Sequence, residues 1–298
     1  MNQKKAKPFL KWAGGKTQLL EKISLKFPYK KTEKFTYIEP FVGSGAVLFW
    51  VLNSYPNIEH AIINDINSDL TNAYHTIKKD VEALISILEK WESEYHLLTD
   101  NQDLKKEYYY FKRTLFNTRD SDKTTQTALF IFLNRTCFNG LYRVNKKNQF
   151  NVPIGSYKNP MICDKNNLNL INKRLHNVEI LNDDFCKTVN YVTGNTCFYF
   201  DPPYKPLSAT SNFNSYSKNN FNDGEQIRLK KFCDKLDALN CKWILSNSDV
   251  KGKNPDNNFF DDLFKHYQIN RVPARRSINA NASKRGELNE LLITNETR

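Results

Sequence analysis

Residues 33–66 admit few folds. A short apolar run at 35–38 ends in Glu39-Pro40, and Gly43-Ser44-Gly45 opens the helical stretch AVLFWVL. A second apolar run at 60–64 then stops at Asp65. Short apolar runs bounded by turn residues read as buried strands, and the glycines ease the passage from strand to helix. Strand, glycine turn, helix and strand in that order form the front half of a βαβ nucleotide-binding unit. After residue 164 the alternation resumes, with strands at NVEIL (177–181), TCFYF (196–200) and KWILS (242–246) and a helix near 223–239. The stretches VPARRS and ELNELLITN are expected to pair at the sheet edge.

Between 68 and 163 the texture differs. Helical patterns at 68–90, 102–117 and 123–135 lead into RTCFNGLYRVNKKNQFNVPIGSYKN, which is polar, aromatic and basic with little periodicity. The chain therefore reads as an α/β sheet domain made of 1–67 and 164–298, with a mostly helical insertion at 68–163. Its 298 residues, 40% hydrophobic and 13% aromatic, suffice for a sizeable core. No run approaches the roughly 18 apolar residues of a membrane helix, and MNQKKAKPF lacks a signal peptide's apolar stretch. Cys137, Cys163, Cys186, Cys197, Cys233 and Cys241 are scattered singly, without zinc spacing, so reduced cytoplasmic cysteines and no metal are expected. The net charge of +12 suits a polyanionic partner, although a basic solvated surface would show the same excess.

Chemistry concentrates in three places. Asp201-Pro202-Pro203-Tyr204 directly follows TCFYF, and ligands of an open α/β sheet sit beyond the carboxyl ends of its strands. A carboxylate and a proline carbonyl suit an amino group with two N–H bonds to donate, and the tyrosine offers a flat surface for a heterocycle. A bare Asp-Pro turn would look similar, but not with the tyrosine and the preceding strand. At the glycine turn, Leu48 stands where a third glycine of a dinucleotide fingerprint would be. Asp65 nevertheless ends the next strand, where a carboxylate reaches a ribose, so a nucleoside without a pyrophosphate fits better. Gly15-Lys16-Thr17 imitates the end of a phosphate-binding loop, yet Leu10 occupies the position of its first glycine.

WAGGK (12–16), EPFVGSGAV (39–47), NDINSDL (64–70), FNGLYRVN (138–145), FNVPIGSY (150–157) and DPPYKPLSAT (201–210) together resemble the Dam-like, group alpha DNA adenine-N6 methyltransferases. The resemblance runs in order from Phe9 to Asn295. It implies a Rossmann-like methyltransferase sheet, S-adenosylmethionine as methyl donor, duplex DNA as substrate and an inserted target-recognition domain. On it, Trp12, Lys16, Phe41, Gly43, Asp65, Asp184, Phe185 and Asp201 match cofactor-binding positions, with Lys16 near the donor's carboxylate, Asp65 at its ribose and Asp184 and Phe185 at its adenine. Asp201, Pro202 and Tyr204 match the catalytic site. Lys11 and Arg143 match guanine-reading positions, Leu141 and Pro153 match contacts to a thymine methyl, and Arg135, Phe138, Asn139, Asn145, Asn151 and Tyr157 match further DNA-contacting positions. The implied site is GATC.

Ser156 stands where close relatives carry an arginine, and Phe138 replaces a tyrosine. Arg113 aligns with a phosphate-binding arginine only across a gap. The target base is expected to flip out of the duplex, with 205–222 as a flap over it and Phe138 as a wedge in the DNA. Lys146, Lys147, Lys158, Arg275 and Arg276 are candidate phosphate contacts. A cognate restriction endonuclease would fit the same system, as would a solitary methylase role. An RNA methyltransferase, or a nucleic-acid-binding protein without catalysis, are the competing readings.

Overall fold

The computed structural model describes residues 4–98, 100–205, 221–252, 254–275 and 287–295. Most of the expected flap, together with Arg276, lies outside the described residues. The core of the molecule is a seven-stranded sheet of β1 (Phe35–Glu39), β2 (Ile58–Asn64), β3 (Val178–Leu181), β4 (Thr196–Phe200), β5 (Lys242–Ser248), β6 (Gln268–Arg275) and β7 (Glu287–Thr294). Its order is β3-β2-β1-β4-β5-β7-β6. The first five strands run parallel, and β7 lies antiparallel between β5 and β6. Every residue of β1 and β4 is buried, as strands covered on both faces require. β1 leads through α2 (Ala46–Ser54) to β2 on one side, while β4 joins on its other side. The strand order therefore reverses between β1 and β4, and the crevice beyond their carboxyl ends is where such sheets bind ligands.

The expected strands are all present, and one strand and one helical stretch differ in extent from the expectation. β6 starts at Gln268, four residues before VPARRS, and pairs with β7 along its whole length, Ile269 facing Ile293. Pro273 is tolerated because β6 is an edge. The helical stretch at 68–90 is two helices, α3 (Ser68–Lys79) and α4 (Val81–Leu97). They are broken at Asp80, whose φ of −143° is not helical and whose carboxylate accepts from Thr124 Oγ1 at 2.8 Å. A short α1 (Leu20–Ser24) precedes the sheet. α5 (Gln102–Thr118) and α6 (Lys123–Thr136) complete the insertion, and its centre is the buried run 127–134 of α6. α7 (Lys165–Leu175), α8 (Asp223–Ala238) and α9 (Phe259–Leu263) follow. α3 packs against both α6 and α7, so one apolar core runs continuously from the sheet into the insertion.

The stretch that shows little periodicity in sequence has a clear one in space. Val144 bridges Phe150 and Cys137 bridges Ile154, both antiparallel, and Asn151 N–H donates to the Arg143 carbonyl at 3.1 Å. Tyr142, Phe150 and Val152 are buried, while Arg143, Asn145, Asn151 and Pro153 are exposed. Such alternation is that of a short hairpin with one face on the core. Asn148 takes the left-handed φ of 59° at its tip, and Asn145 Oδ1 accepts from the Lys147 and Gln149 N–H groups at 2.9 and 3.0 Å.

Candidate active site

At the carboxyl end of β1 the backbone is folded back on β2, with Val42 N–H donating to the Asn64 carbonyl at 3.0 Å. Gly43 and Gly45 have φ of 50° and 79°, which disfavours any other residue. The glycine requirement is partly internal to the protein. A Cβ on Gly45 would lie 2.6 Å from the Tyr74 hydroxyl, which itself donates to the Gly43 carbonyl at 3.0 Å. Asp65 accepts from Gly43 N–H at 3.1 Å and from Asn67 N–H at 2.9 Å. Burial pushes its carboxyl up to about 6, and those two N–H groups oppose the rise. Behind it, Glu39 is buried, accepts from the Tyr37 hydroxyl at 2.7 Å, and is pushed well above the carboxylate range by that burial.

Across the crevice, Asp201 follows β4. Lys16, almost wholly buried, places its ammonium 2.8 Å from Asp201 Oδ1, 2.5 Å from the Gly14 carbonyl and 4.5 Å from the centre of the Tyr204 ring. Burial pushes the Asp201 carboxyl up to about 6 against the opposing pull of Lys16, and the charge of Glu290 adds to the rise. Tyr204 donates to Glu290 Oε2 at 2.6 Å. The end of the turn is fixed by a buried amide pair. Gln226 Nε2 donates to the Pro203 carbonyl at 3.1 Å, and Asn247 Nδ2 donates to Gln226 Oε1 at 3.1 Å.

The structure thus brings Lys16, Asp65, Asp201 and Tyr204 to one crevice. Lys16, expected beside the methyl donor's carboxylate, here contacts Asp201. Phe41 lies 5.2 Å from Phe185 and 5.6 Å from Phe221, ring to ring, so the far wall is aromatic. Phe185 itself is mostly core, being 4% exposed. Asp184 accepts two bonds from Arg228, at 2.9 and 2.8 Å, and one from Cys186 N–H at 2.9 Å. This hydrogen bonding holds its carboxyl below the usual range. Trp12 stacks on Tyr142 at 5.5 Å, and a Cβ on Gly43 would come within 3.2 Å of its ring, so Trp12 joins the glycine turn to the insertion. Among the described residues no group of His, Cys, Asp or Glu could hold a metal ion, and no helix is long and apolar enough to cross a membrane.

The residues expected to face DNA are spread over the neighbouring hairpin and its base. Arg143 Nε donates to Asn151 Oδ1 at 2.7 Å, which holds the guanidinium on the exposed face beside Asn145 and Pro153. Leu141 is half-buried. Lys11 is tied to the insertion, its N–H donating to Asn134 Oδ1 at 2.9 Å and its ammonium lying 4.0 Å over the Tyr157 ring. Phe138 is 49% exposed and Asn139 beside it has a left-handed φ of 54°. Arg135 turns inward instead, donating to the Phe9 carbonyl at 2.7 Å, so its visible contact is with the N-terminal segment. Arg113 stacks on Tyr110 and reaches the Val152 carbonyl at 3.4 Å, behind the hairpin. Lys146, Lys147, Lys158 and Ser156 are exposed. Sequence reasoning missed Glu290, Arg228 and Gln226. Each reaches the site across long sequence separations, and none stands in a local motif.

A sequence profile of the family described as D12 class N6 adenine-specific DNA methyltransferase matches residues 12–278. The chain is 49% identical to type II methyltransferase M.MjaIII of Methanocaldococcus jannaschii, over 97% of this chain and 99% of that protein. It is 38% identical to type II methyltransferase M1.LlaDCHI of Lactococcus lactis subsp. cremoris, over 99% and 97%. To the DNA adenine methylase of Haemophilus influenzae it is 35% identical, over 97% and 93%. These similarities span the sheet, the insertion and the Asp-Pro-Pro-Tyr turn alike. The chain therefore belongs to the D12 class of N6 adenine-specific DNA methyltransferases, enzymes that use S-adenosylmethionine to methylate adenine in DNA.

Proposed function

We propose that this enzyme methylates adenine in the duplex palindrome GATC, after swinging the target base out of the helix into the crevice between β1 and β4. The observation that carries the catalytic part is the grouping of Asp201, Tyr204 and Lys16 beyond the end of β4. An amino nitrogen conjugated to a purine ring is a poor nucleophile. Asp201 and the Pro202 carbonyl accept its two N–H bonds, draw the nitrogen toward a pyramidal geometry and stabilise its developing positive charge. Lys16 holds Asp201 by Oδ1, which commits Oδ2 to the substrate. Asp201 need not be a strong base to take the proton afterwards, because the methylated ammonium is acidic and gives it up readily. Paired and stacked adenine could not reach these groups, which is why extrusion is required. The flipped ring stacks on Tyr204, on the face opposite Lys16.

The donor set suits S-adenosylmethionine, with a carboxylate at the glycine turn, an aromatic wall and no third glycine for a pyrophosphate. Asp65 would accept from its ribose, Phe41 and Phe185 would line its adenine, Asp184 would accept from its amino group, and Trp12 with Gly43 would border its amino-acid end. When bound, it would supply an electrophilic methyl group on a positively charged sulfur, the S–C bond breaking to leave the neutral thioether S-adenosylhomocysteine. No metal is invoked.

Residues 68–163 serve as the target-recognition domain. The exposed face of the hairpin supports this, since Arg143 presents a planar fork suited to guanine O6 and N7 and Pro153 and Leu141 offer apolar contacts to a thymine methyl. Lys11 reads the other guanine, while Phe138, Asn139, Asn145, Asn151 and Tyr157 complete the contacts. Arg135 supports the surface from behind. Two relatives are named type II methyltransferases, which favours a restriction-modification role in the prokaryotic cytoplasm with a cognate endonuclease as functional partner. Labelled methyl transfer to GATC duplexes and to single-base variants, followed by nucleoside analysis, tests the whole reading. N6-methyladenine in GATC alone is expected, and Asp201→Ala should abolish it while leaving DNA and cofactor affinity largely intact. Equal methylation of the variant duplexes would remove GATC from the proposal.

A further inference from the structure

Glu290 belongs to no motif singled out in the sequence, yet it is the residue that holds the catalytic tyrosine. It stands in the middle of β7, paired with Ser248 of β5 on one side and Val272 of β6 on the other. That backbone is fixed within the sheet. Its carboxylate accepts from the Tyr204 hydroxyl at 2.6 Å, a short bond of the charge-assisted kind. The residues after it, Leu291, Leu292 and Ile293, are fully buried, so the strand brings this one charged side chain to the crevice from an apolar stretch. Tyr204 sits in a turn after β4, and an aromatic ring in a turn is free to rotate unless both its face and its tip are held. Lys16 lies over its face at 4.5 Å and Glu290 takes its tip. The placement also has a cost, since a second carboxylate near Asp201 opposes Asp201's ionisation. A group serving only to fill space would not need that charge.

We propose that Glu290 is a positioning residue for methyl transfer, locking the Tyr204 ring in the orientation on which the flipped adenine stacks. This rests on the reading of Tyr204 as the stacking surface. The test uses the full-length enzyme and a duplex it methylates, with kcat and the KM for S-adenosylmethionine measured for Glu290→Ala, Glu290→Gln, Tyr204→Phe and the double variant Tyr204→Phe/Glu290→Ala. Glu290→Ala is expected to lower kcat about tenfold, the loss of one charge-assisted bond, with KM for the cofactor unchanged. Glutamine still offers an oxygen to the phenol, so Glu290→Gln should stay within about threefold of the unmutated enzyme. At about pH 8.5, where Asp201 is ionised with or without the charge of Glu290, Tyr204→Phe should match Glu290→Ala, and the double variant should be no slower than either, because both remove the same bond. A glutamine variant as slow as the alanine one, or losses that multiply in the double variant, would overturn the proposal. Should Glu290→Ala fail to fold, Glu290→Gln within about threefold of the unmutated enzyme beside a Tyr204→Phe about tenfold slower supports the proposal, and Glu290→Gln as slow as Tyr204→Phe overturns it. Near-normal turnover by Tyr204→Ala would instead remove the stacking role itself.

Discussion

Replacing Lys16 by methionine should move the acid limb of the methylation rate to higher pH. In the unmutated enzyme the Asp201 carboxyl lies at about 6, raised by burial and restrained by Lys16. If the ionised carboxylate is the acceptor of the amino protons, its charged fraction falls from about 97% at pH 7.5 to about 10% at pH 5. Single-turnover methylation should fall about tenfold over that interval. The ammonium sits 2.8 Å from Asp201 Oδ1. At that separation the attraction is about 1.5 kcal/mol in the dielectric of water and about 6 kcal/mol at an effective dielectric near 20. The Asp201 side chain keeps 20% of its exposure, so screening favours the lower part of that range. About 1.5–3 kcal/mol corresponds to one or two pH units, which puts the midpoint in Lys16→Met near 7 to 8. Rapid-quench methylation at saturating cofactor, from pH 5 to 9, reads the limb directly. Unfolding through this group does not explain such a loss. With a folded-state value above the ordinary one, its contribution to stability is fully present below about pH 4 and is lost as pH rises through about 6, the opposite direction. An unmoved midpoint in Lys16→Met would refute the assignment of Asp201 as the titrating acceptor.

Other consequences follow from single contacts. Asp65→Ala should weaken S-adenosylmethionine binding by about 1–3 kcal/mol, as calorimetry would report, and unchanged affinity would move the ribose contact elsewhere. Arg143→Ala should relax discrimination at one guanine by about 1–3 kcal/mol in competition between GATC and substituted duplexes. Asn151→Ala, which removes the side-chain hold on Arg143 Nε and leaves only the bond to the residue 151 carbonyl, should shift selectivity the same way by less. Gly45→Ala forces a left-handed φ of 79° on a residue whose Cβ would meet the Tyr74 hydroxyl at 2.6 Å. A loss of about 1–3 kcal/mol in urea unfolding is expected, and an unshifted midpoint would show that the turn yields.

The parallel strands were legible because each is a short, largely apolar run that ends at a turn residue, wholly buried in β1 and β4 and mostly so in β5. The helical patterns that begin at 68 and near 223 match their helices, and the structure shows what fixes those starts. Asn67 and Asn222 precede α3 and α8, and their side chains accept from the first free N–H groups. What the periodicity hid was decided by contacts distant in sequence. Asp80 breaks a continuous helical pattern because its side chain finds Thr124 across the insertion. The hairpin at 141–154 looked irregular because each arm is only a few residues long and the turn between them is wholly polar. Only the pairing of Val144 with Phe150 shows which positions face outward.

The site divides along the same line. Motif residues that precede or follow a strand, Asp65 and Asp201 among them, are placed by the strand itself, so their neighbourhood could be inferred from position. Their protonation could not, because it depends on groups brought from elsewhere. Lys16 arrives from the N-terminal segment and Glu290 from a strand near the end of the chain, and these two act on Asp201 in opposite senses. The same two residues hold the ring of Tyr204 by face and by tip. A charge change at either position should therefore reach both the proton acceptor and the stacking surface. Under the proposed mechanism, the Asp-Pro-Pro-Tyr turn supplies the reacting groups, while residues 185 positions before and 89 positions after Asp201 set their state.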